Sequence, residues 1–339
     1  MTVFSKTIRT AVIGFIGLSS CQLFHSSLSH GKTNITESYS LYFSGSESDV
    51  TRVTSQSFLL VGGGDDRDDA MQWFVDRSGK GDIVVLRGSG DSGYNDWLIE
   101  KGANSVTSIV LKSRDASHDP DILNRVRKSE ALFFAGGDQS NYLQYIKGTS
   151  LAQEINAASQ RGIPIGGTSA GLAILGQFIF PATHGTITSQ QVLKNPYDSA
   201  LLLERDFLNF PVLKGIITDS HFVSRDRMGR LLGFMARILH DDWTDKVRGI
   251  GLDDQVALAI DQNAKATVFA DDGKAYMLQA TAKPEICREQ LALTFRNVEI
   301  YGMSGGSTFD LKSWSGTGGA HYNIEVQSGV LISSQQLIY

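Results

Sequence analysis

The chain has 339 residues, 41% hydrophobic and 20% charged, the proportions of an ordinary globular protein with a sizeable core. Its net charge is −5 at pH 7 and no basic block stands out, which argues against a nucleic-acid partner. Cys21 and Cys287 are the two cysteines, so the apolar core, not a disulfide framework, must hold the fold.

The N-terminus is distinct from the rest. Lys6 and Arg9 form a positive region, and residues 11–18 form an apolar run too short to span a bilayer. The run ends in Leu18-Ser19-Ser20-Cys21, which resembles a bacterial lipoprotein signal. The expectation is therefore a signal peptide over residues 1–20 and lipidation at Cys21. That implies export to the periplasmic side of the cell envelope and a membrane partner through the lipid anchor. A plain signal peptide or an uncleaved anchor is the alternative. Residues 21–55 are rich in Ser, Gly, Thr and Glu with little periodicity, and read as a flexible tether.

From residue 56 strands and helices alternate. Ser57-Phe58-Leu59-Leu60-Val61 reads as a strand ending in Gly62-Gly63-Gly64. The glycine spacing is not GxGxxG, and Asp65, Asp66, Asp68 and Asp69 would repel phosphate, so a nucleotide site is excluded. A helix over 70–75, a strand over 82–86, a helix over 95–101 and a strand over 106–111 follow. Then come a helix over 119–130 and the strand 131–135, which ends in Gly136-Gly137-Asp138-Gln139. Such alternation predicts a mostly parallel sheet covered on both faces, with sites at the carboxyl ends of its strands. Residues 178–210 are irregular; a strand over 215–218 precedes a helix with Met228, Leu231, Leu232, Met235 and Leu239 on one stripe. Short strands over 249–252, 256–260, 267–270 and 275–278 end the domain near 282, and residues 283–339 read as a β-rich extension with a Gly/Ser-rich gap over 302–319.

After predicted helices from about residue 141 and over 151–160, residues 163–175 read as a strand that turns into a helix at Ser169. Gly167-Thr168-Ser169-Ala170-Gly171 matches the G-x-S-x-G elbow, where small residues let the backbone turn tightly and lift the hydroxyl out of the sheet. The first turn of the following helix would offer unpaired N–H groups to an oxyanion. His221 follows a predicted parallel strand, so topology carries it to the same edge, where a neutral imidazole could take the serine proton. His184, in the irregular loop, is its rival. Arg225, Arg227 and Arg230 beside His221 suit an anionic substrate. Either Asp253 or Asp254, after the strand 249–252, could orient the imidazole.

These blocks together resemble the cyanophycinase-like serine peptidases of peptidase family S51, relatives of aspartyl dipeptidase, over about two thirds of the chain. The resemblance implies a three-layer α/β/α fold, class I glutamine amidotransferase-like (flavodoxin-like). It implies Ser169 as nucleophile, His221 as general base, and backbone N–H groups of Gly136 or Gly137 with Ala170 at the oxyanion. Gln139, Asp219, Arg225, Arg227 and Arg230 match positions that hold substrate in cyanophycinase, and family members cut beside acidic residues or at β-aspartyl linkages. Two departures stand out. Ser220 replaces the Gln that precedes the histidine in cyanophycinase, which argues against cyanophycin itself as substrate. The family's third residue is a glutamate, whereas this chain has the shorter Asp254.

The resulting expectation is an exported, lipid-anchored serine peptidase acting on small acidic or β-aspartyl peptides through Ser169, His221 and Asp254, with Ser220 and the arginines at the substrate and no metal or organic cofactor. The rival is an inactive lipoprotein that captures acidic peptides in the same pocket. A homodimer is compatible with the sequence, which leaves the oligomeric state open.

Overall fold

The structure, a computed structural model, describes residues 31–339. The expected signal peptide, Cys21 and the first part of the tether lie outside the described residues. Among the described residues no helix is long and apolar enough to cross a membrane.

The described chain opens with β1 (Lys32–Ile35) and β2 (Tyr39–Gly45). The alternation then runs β3 (Phe58–Val61), α1 (Asp68–Arg77), β4 (Asp82–Arg87), α2 (Asn95–Glu100), β5 (Ser105–Leu111), α3 (Pro120–Lys128) and β6 (Ala131–Phe134). It continues with α4 (Gln139–Ile146), α5 (Ser150–Gln160), β7 (Ile165–Thr168) and α6 (Ala170–Ala173). Next come β8 (Phe178–Ile179), α7 (Ser189–Lys194), β9 (Glu204–Arg205), β10 (Ile216–Asp219), α8 (Met228–His240) and β11 (Val247–Leu252). The rest is strand: β12 (Ala257–Ile260), β13 (Lys265–Phe269), β14 (Ala275–Ala280), β15 (Phe295–Asp310), β16 (Ser315–Gln327) and β17 (Val330–Ser333).

The core of the sheet is five parallel strands in the order β5-β4-β6-β7-β3. Side chains alternate along them, and both sets are apolar. Leu59, Val61, Ile83 and Val85 pack with Phe74 of α1 and Leu98 of α2. Leu60, Val84 and Leu86 pack with Ile122 of α3 and Ile155 of α5. A strand buried on both faces needs a helix layer on each, and the result is a three-layer α/β/α architecture.

Beside it, β10 lies parallel to β11, and β11 runs antiparallel to β14. α8 covers these strands, placing Leu231, Leu232, Met235 and Leu239 in one core with Ile217 and Leu278. β15 joins the two halves. It pairs with β14 over Glu299 to Met303 and with β13 over Thr308 to Asp310, with an irregularity against β16 between Met303 and Thr308.

Two sequence readings are corrected here. Residues 32–45 are not tether: β2 adds antiparallel to β5 over seven paired positions, and β1 adds to β2. Tyr39 and Leu41 bury themselves at alternate positions, a period-two signal diluted by Ser40, Ser44 and Gly45. The Gly/Ser-rich stretch 302–319 is no gap but the closed end of the β15–β16 hairpin. Its glycines sit where backbones come close: a Cβ on Gly319 would lie 2.6 Å from the Gly302 carbonyl oxygen.

Candidate active site

The site forms where β3, β6, β7, β10 and β11 end. Parallel pairing sets Thr168 beside Val61 and Asp219 beside Gly251, so the residues after those strands emerge along one edge.

Ser169 occupies a turn that few side chains tolerate. Its φ is 51° and its ψ −112°, outside the regions ordinary L-residues occupy. The turn is held on both sides: Ser169 N–H donates to the Val61 carbonyl at 3.0 Å, and the Ala173 N–H donates back to the Ser169 carbonyl at 3.0 Å. Glycine is required by space around it. A Cβ on Gly171 would lie 2.0 Å from the Phe134 carbonyl oxygen, and one on Gly167 would lie 2.7 Å from the backbone of Gly171. The helix expected after the elbow is a single turn, Ala170–Ala173, so its summed dipole is slight. Any help to an oxyanion must come from individual N–H groups. That of Ala170, first in the turn, has no partner within the helix.

His221 also has a positive φ, 47°, and its N–H donates to the Gly62 carbonyl at 2.8 Å. Its Nε2 lies 2.7 Å from Ser169 Oγ, and its Nδ1 bonds the Asp254 carboxylate. With that carboxylate accepting from Nδ1–H, Nε2 is the free acceptor facing the hydroxyl. The two aspartates that the residue pattern alone left open divide. Asp254 reaches the imidazole, while Asp253 Oδ1 accepts from the Val223 and Ser224 amides at 3.2 and 3.3 Å. His184 instead sits against the Ser199 carbonyl, 3.1 Å away. Burial, then the positive charge of Arg225, lower the His221 pKa below 6.5, and Asp254 opposes them. The imidazole is therefore held neutral, the form that can accept a proton.

Gly137, Gln139, Ala170, Asp219, Ser220 and the three arginines line one cleft with Ser169 and His221. Gly136 stands against the serine: a Cβ there would lie 3.5 Å from Ser169 Cβ. The side chains on this wall are tied to one another. Arg230 is buried; its Nε donates to Asp219 Oδ2 at 2.9 Å, a second bond runs to Oδ1, and its Nη1 donates to Thr186 Oγ1 at 3.2 Å. Arg227 Nη1 donates to the Ser220 carbonyl at 2.7 Å and to Asp219 Oδ1 at 3.2 Å; burial pulls its pKa down to about 10. Arg225 is exposed at the mouth. Gln139 Nε2 donates to the Phe180 carbonyl at 3.3 Å.

Two contributors were not singled out in the sequence. Gly63 has φ 113°, and a Cβ there would lie 2.4 Å from His221 Cε1, so its bare backbone presses against the imidazole. The glycine run after β3 was visible, but as an ordinary turn. Phe180 stacks on Phe234 with centroids 4.9 Å apart, and the Arg230 guanidinium lies 5.3 Å from the Phe180 ring. Nothing local marks Phe180, since its partner arrives from α8.

Residues 94–268 match the sequence profile of peptidase family S51. A cyanophycinase of Geminocystis herdmanii is 25% identical over 276 residues, covering 76% of this chain and 94% of that protein. A cyanophycinase of Trichormus variabilis is 22% identical over 276 residues, covering 77% of this chain and 87% of that one. A crystal structure of a peptidase from an acI-B1 Actinobacterium covers 67% of this chain and 95% of its own at 17% identity, with a TM-score of 0.46.

Proposed function

The chain belongs to peptidase family S51 and is a hydrolase of the serine peptidase kind; from that premise we propose that it cleaves small acidic or β-aspartyl peptides with Ser169, His221 and Asp254. The observation that carries the reading is the line of bonds from Ser169 Oγ through His221, 2.7 Å to Nε2 and onward from Nδ1 to Asp254.

In this mechanism Ser169 Oγ attacks the scissile carbonyl as its proton passes to His221 Nε2. The carbonyl oxygen becomes an oxyanion against the N–H groups of Ala170 and of Gly136 or Gly137. His221 then gives its proton to the leaving amine, and the acyl-enzyme forms. Water repeats the sequence to release the acid. Asp254 holds the Nδ1–H tautomer and stabilises the imidazolium while it exists. The chemistry asks for no metal or organic cofactor.

The substrate side is supported by charge. Asp219 spends its carboxylate on Arg230 and Arg227, so Arg230 serves mainly as internal scaffold. Arg225, and the part of Arg227 that faces the cleft, are left to meet a substrate carboxylate. Ser220 is buried and lacks the amide that the glutamine of cyanophycinase would offer a substrate, which argues against cyanophycin itself. Export and lipid anchoring rest on the pattern of Lys6, Arg9, the apolar run and Cys21.

Incubation of the protein and its Ser169→Ala variant with a library of acidic and isoaspartyl peptides tests the reading. Turnover by the native chain alone is expected, with kcat of the variant lower by a factor on the order of 10⁶. Binding by both forms with turnover by neither would replace the enzyme with a capture protein. Metabolic labelling of Cys21 with a lipid precursor tests the anchor.

A further inference from the structure

The turn carrying Arg225 and Arg227 is held from a distant part of the chain. After β17 the chain passes Tyr322, whose hydroxyl donates to the Ile338 carbonyl at 3.4 Å, and the Tyr339 ring settles beside Phe222, the neighbour of His221. The Tyr339 and Phe222 centroids are 6.0 Å apart, and Tyr276 completes the group at 5.9 Å from Tyr339 and 5.3 Å from Phe222. A ring alone would serve to cover that apolar surface. The hydroxyl does more: it donates to Asp226 Oδ1 at 2.8 Å and accepts from the Met228 N–H at 3.0 Å.

Both partners belong to the arginine turn. Met228 is the first residue of α8, so its N–H has no partner within the helix, and the preceding Arg227 supplies no side-chain cap. Tyr339 Oη therefore caps α8 from 111 residues away. Asp226 has φ 47°, a conformation that costs a non-glycine residue free energy unless its surroundings hold it. Its carboxylate is held by Tyr339 and its carbonyl by Ser189 Oγ. Arg227 lies between the two anchored residues, and Arg225 precedes them. The far side of the turn is closed by the backbone, Arg225 N–H to the His221 carbonyl at 3.1 Å and Arg227 N–H to the Phe222 carbonyl at 2.8 Å.

We infer that Tyr339 is a positioning residue for substrate recognition: through its hydroxyl, the C-terminal strands fix the turn that presents Arg225 and Arg227 to an acidic substrate. The inference rests on the function proposed above for that turn. It gives the residues beyond the S51 match, which ends at 268, a part in the site. The hydroxyl acts on the arginines and not on the Ser169–His221 pair, whose contacts it does not share.

The test compares the full chain with Tyr339→Phe, which keeps the ring, in three measurements. The first is amide exchange at residues 223–228, the second is the rate of Ser169 labelling by a small neutral fluorophosphonate, and the third is KM and kcat for the dipeptide Asp-Leu. Exchange is expected to rise about tenfold at Met228, and KM roughly five- to tenfold, as for loss of one ordinary hydrogen bond. Labelling and kcat should stay within twofold. Unchanged exchange in the turn would overturn the inference, and so would labelling slowed in proportion to KM, since that would make Tyr339 a general support of the fold. Should the native chain label with fluorophosphonate yet cleave no acidic peptide, the substrate reading falls, and exchange with labelling still decides whether Tyr339 holds the turn.

Discussion

On the Ser169 side of the cleft the parts are fixed mainly by main chain, whereas on the arginine side side chains carry much of the hold. Ser169 hangs from the Val61 carbonyl, His221 from the Gly62 carbonyl, and Gln255, next to Asp254, donates to the Gly63 carbonyl at 2.8 Å. The Ser169 and Gln255 bonds continue the β7–β3 and β12–β3 pairings, whose register a single surface substitution does not shift, and the His221 bond ties the loop after β10 to the loop after β3. Arg230, Arg227 and the turn before them add to their backbone bonds a set of ties from the Asp219, Asp253, Ser189 and Tyr339 side chains. The difference teaches that the reacting geometry belongs to the fold, while recognition can be altered one residue at a time.

The sharpest test of the first half is Asp254→Asn. It leaves the shape but reverses the hydrogen-bonding demand on Nδ1, and kcat is expected to drop by about 10⁴, read by steady-state turnover. Retained activity would remove Asp254 from the mechanism. Next in size, Asp219→Ala leaves the buried Arg230 guanidinium without its carboxylate. Breaking a buried pair from one side costs about 3–5 kcal/mol, to be measured by urea unfolding. Unchanged stability would mean that the arginine wall is not held as described.

Gly63→Ala attacks the backbone side directly. The new methyl cannot coexist with the His221 ring where it stands, and displacement by about 1 Å is expected to lower kcat/KM roughly 10²-fold while acidic-peptide binding persists. Equal loss of binding would blur the division between the two walls. The smallest effect is reserved for Arg225→Gln. Its charge is one of the causes lowering the His221 pKa, so removing it should move the acid limb of the kcat/KM profile to higher pH and raise KM for acidic peptides several-fold. The sign also applies to stability. Because the folded His221 pKa lies below the unfolded value of 6.5, its contribution is present above that value and is lost as pH falls through the folded one.

The parallel core was legible because strands buried on both faces must read as unbroken apolar runs, as Phe58-Leu59-Leu60-Val61 and Ala131-Leu132-Phe133-Phe134 do. The Ser169 elbow was legible for a local reason, since Gly167 and Gly171 have no room for a side chain. His221 required one more step, strand topology. The residue pattern alone could not separate Asp253 from Asp254, and only the family resemblance pointed to Asp254, because adjacent residues after one strand differ only in direction, and direction is set by the Gly62–Gly64 loop packed against them. β2 was missed because Ser40, Ser44 and Gly45 dilute its apolar signal, and Tyr339 because no local pattern signals a contact across more than a hundred residues.

The strand pair at the start of the described chain has a practical corollary. A shortened form begun at residue 56, where the apolar alternation starts, would strip β2 from β5 and remove β1, which pairs with β2. It would bare the amide and carbonyl groups along one edge of a seven-residue strand rich in Val, Ile and Leu, an open invitation to pair with the next molecule. Truncation for crystallisation or assay should therefore keep everything from Lys32 onward, or aggregation will be mistaken for a property of the enzyme.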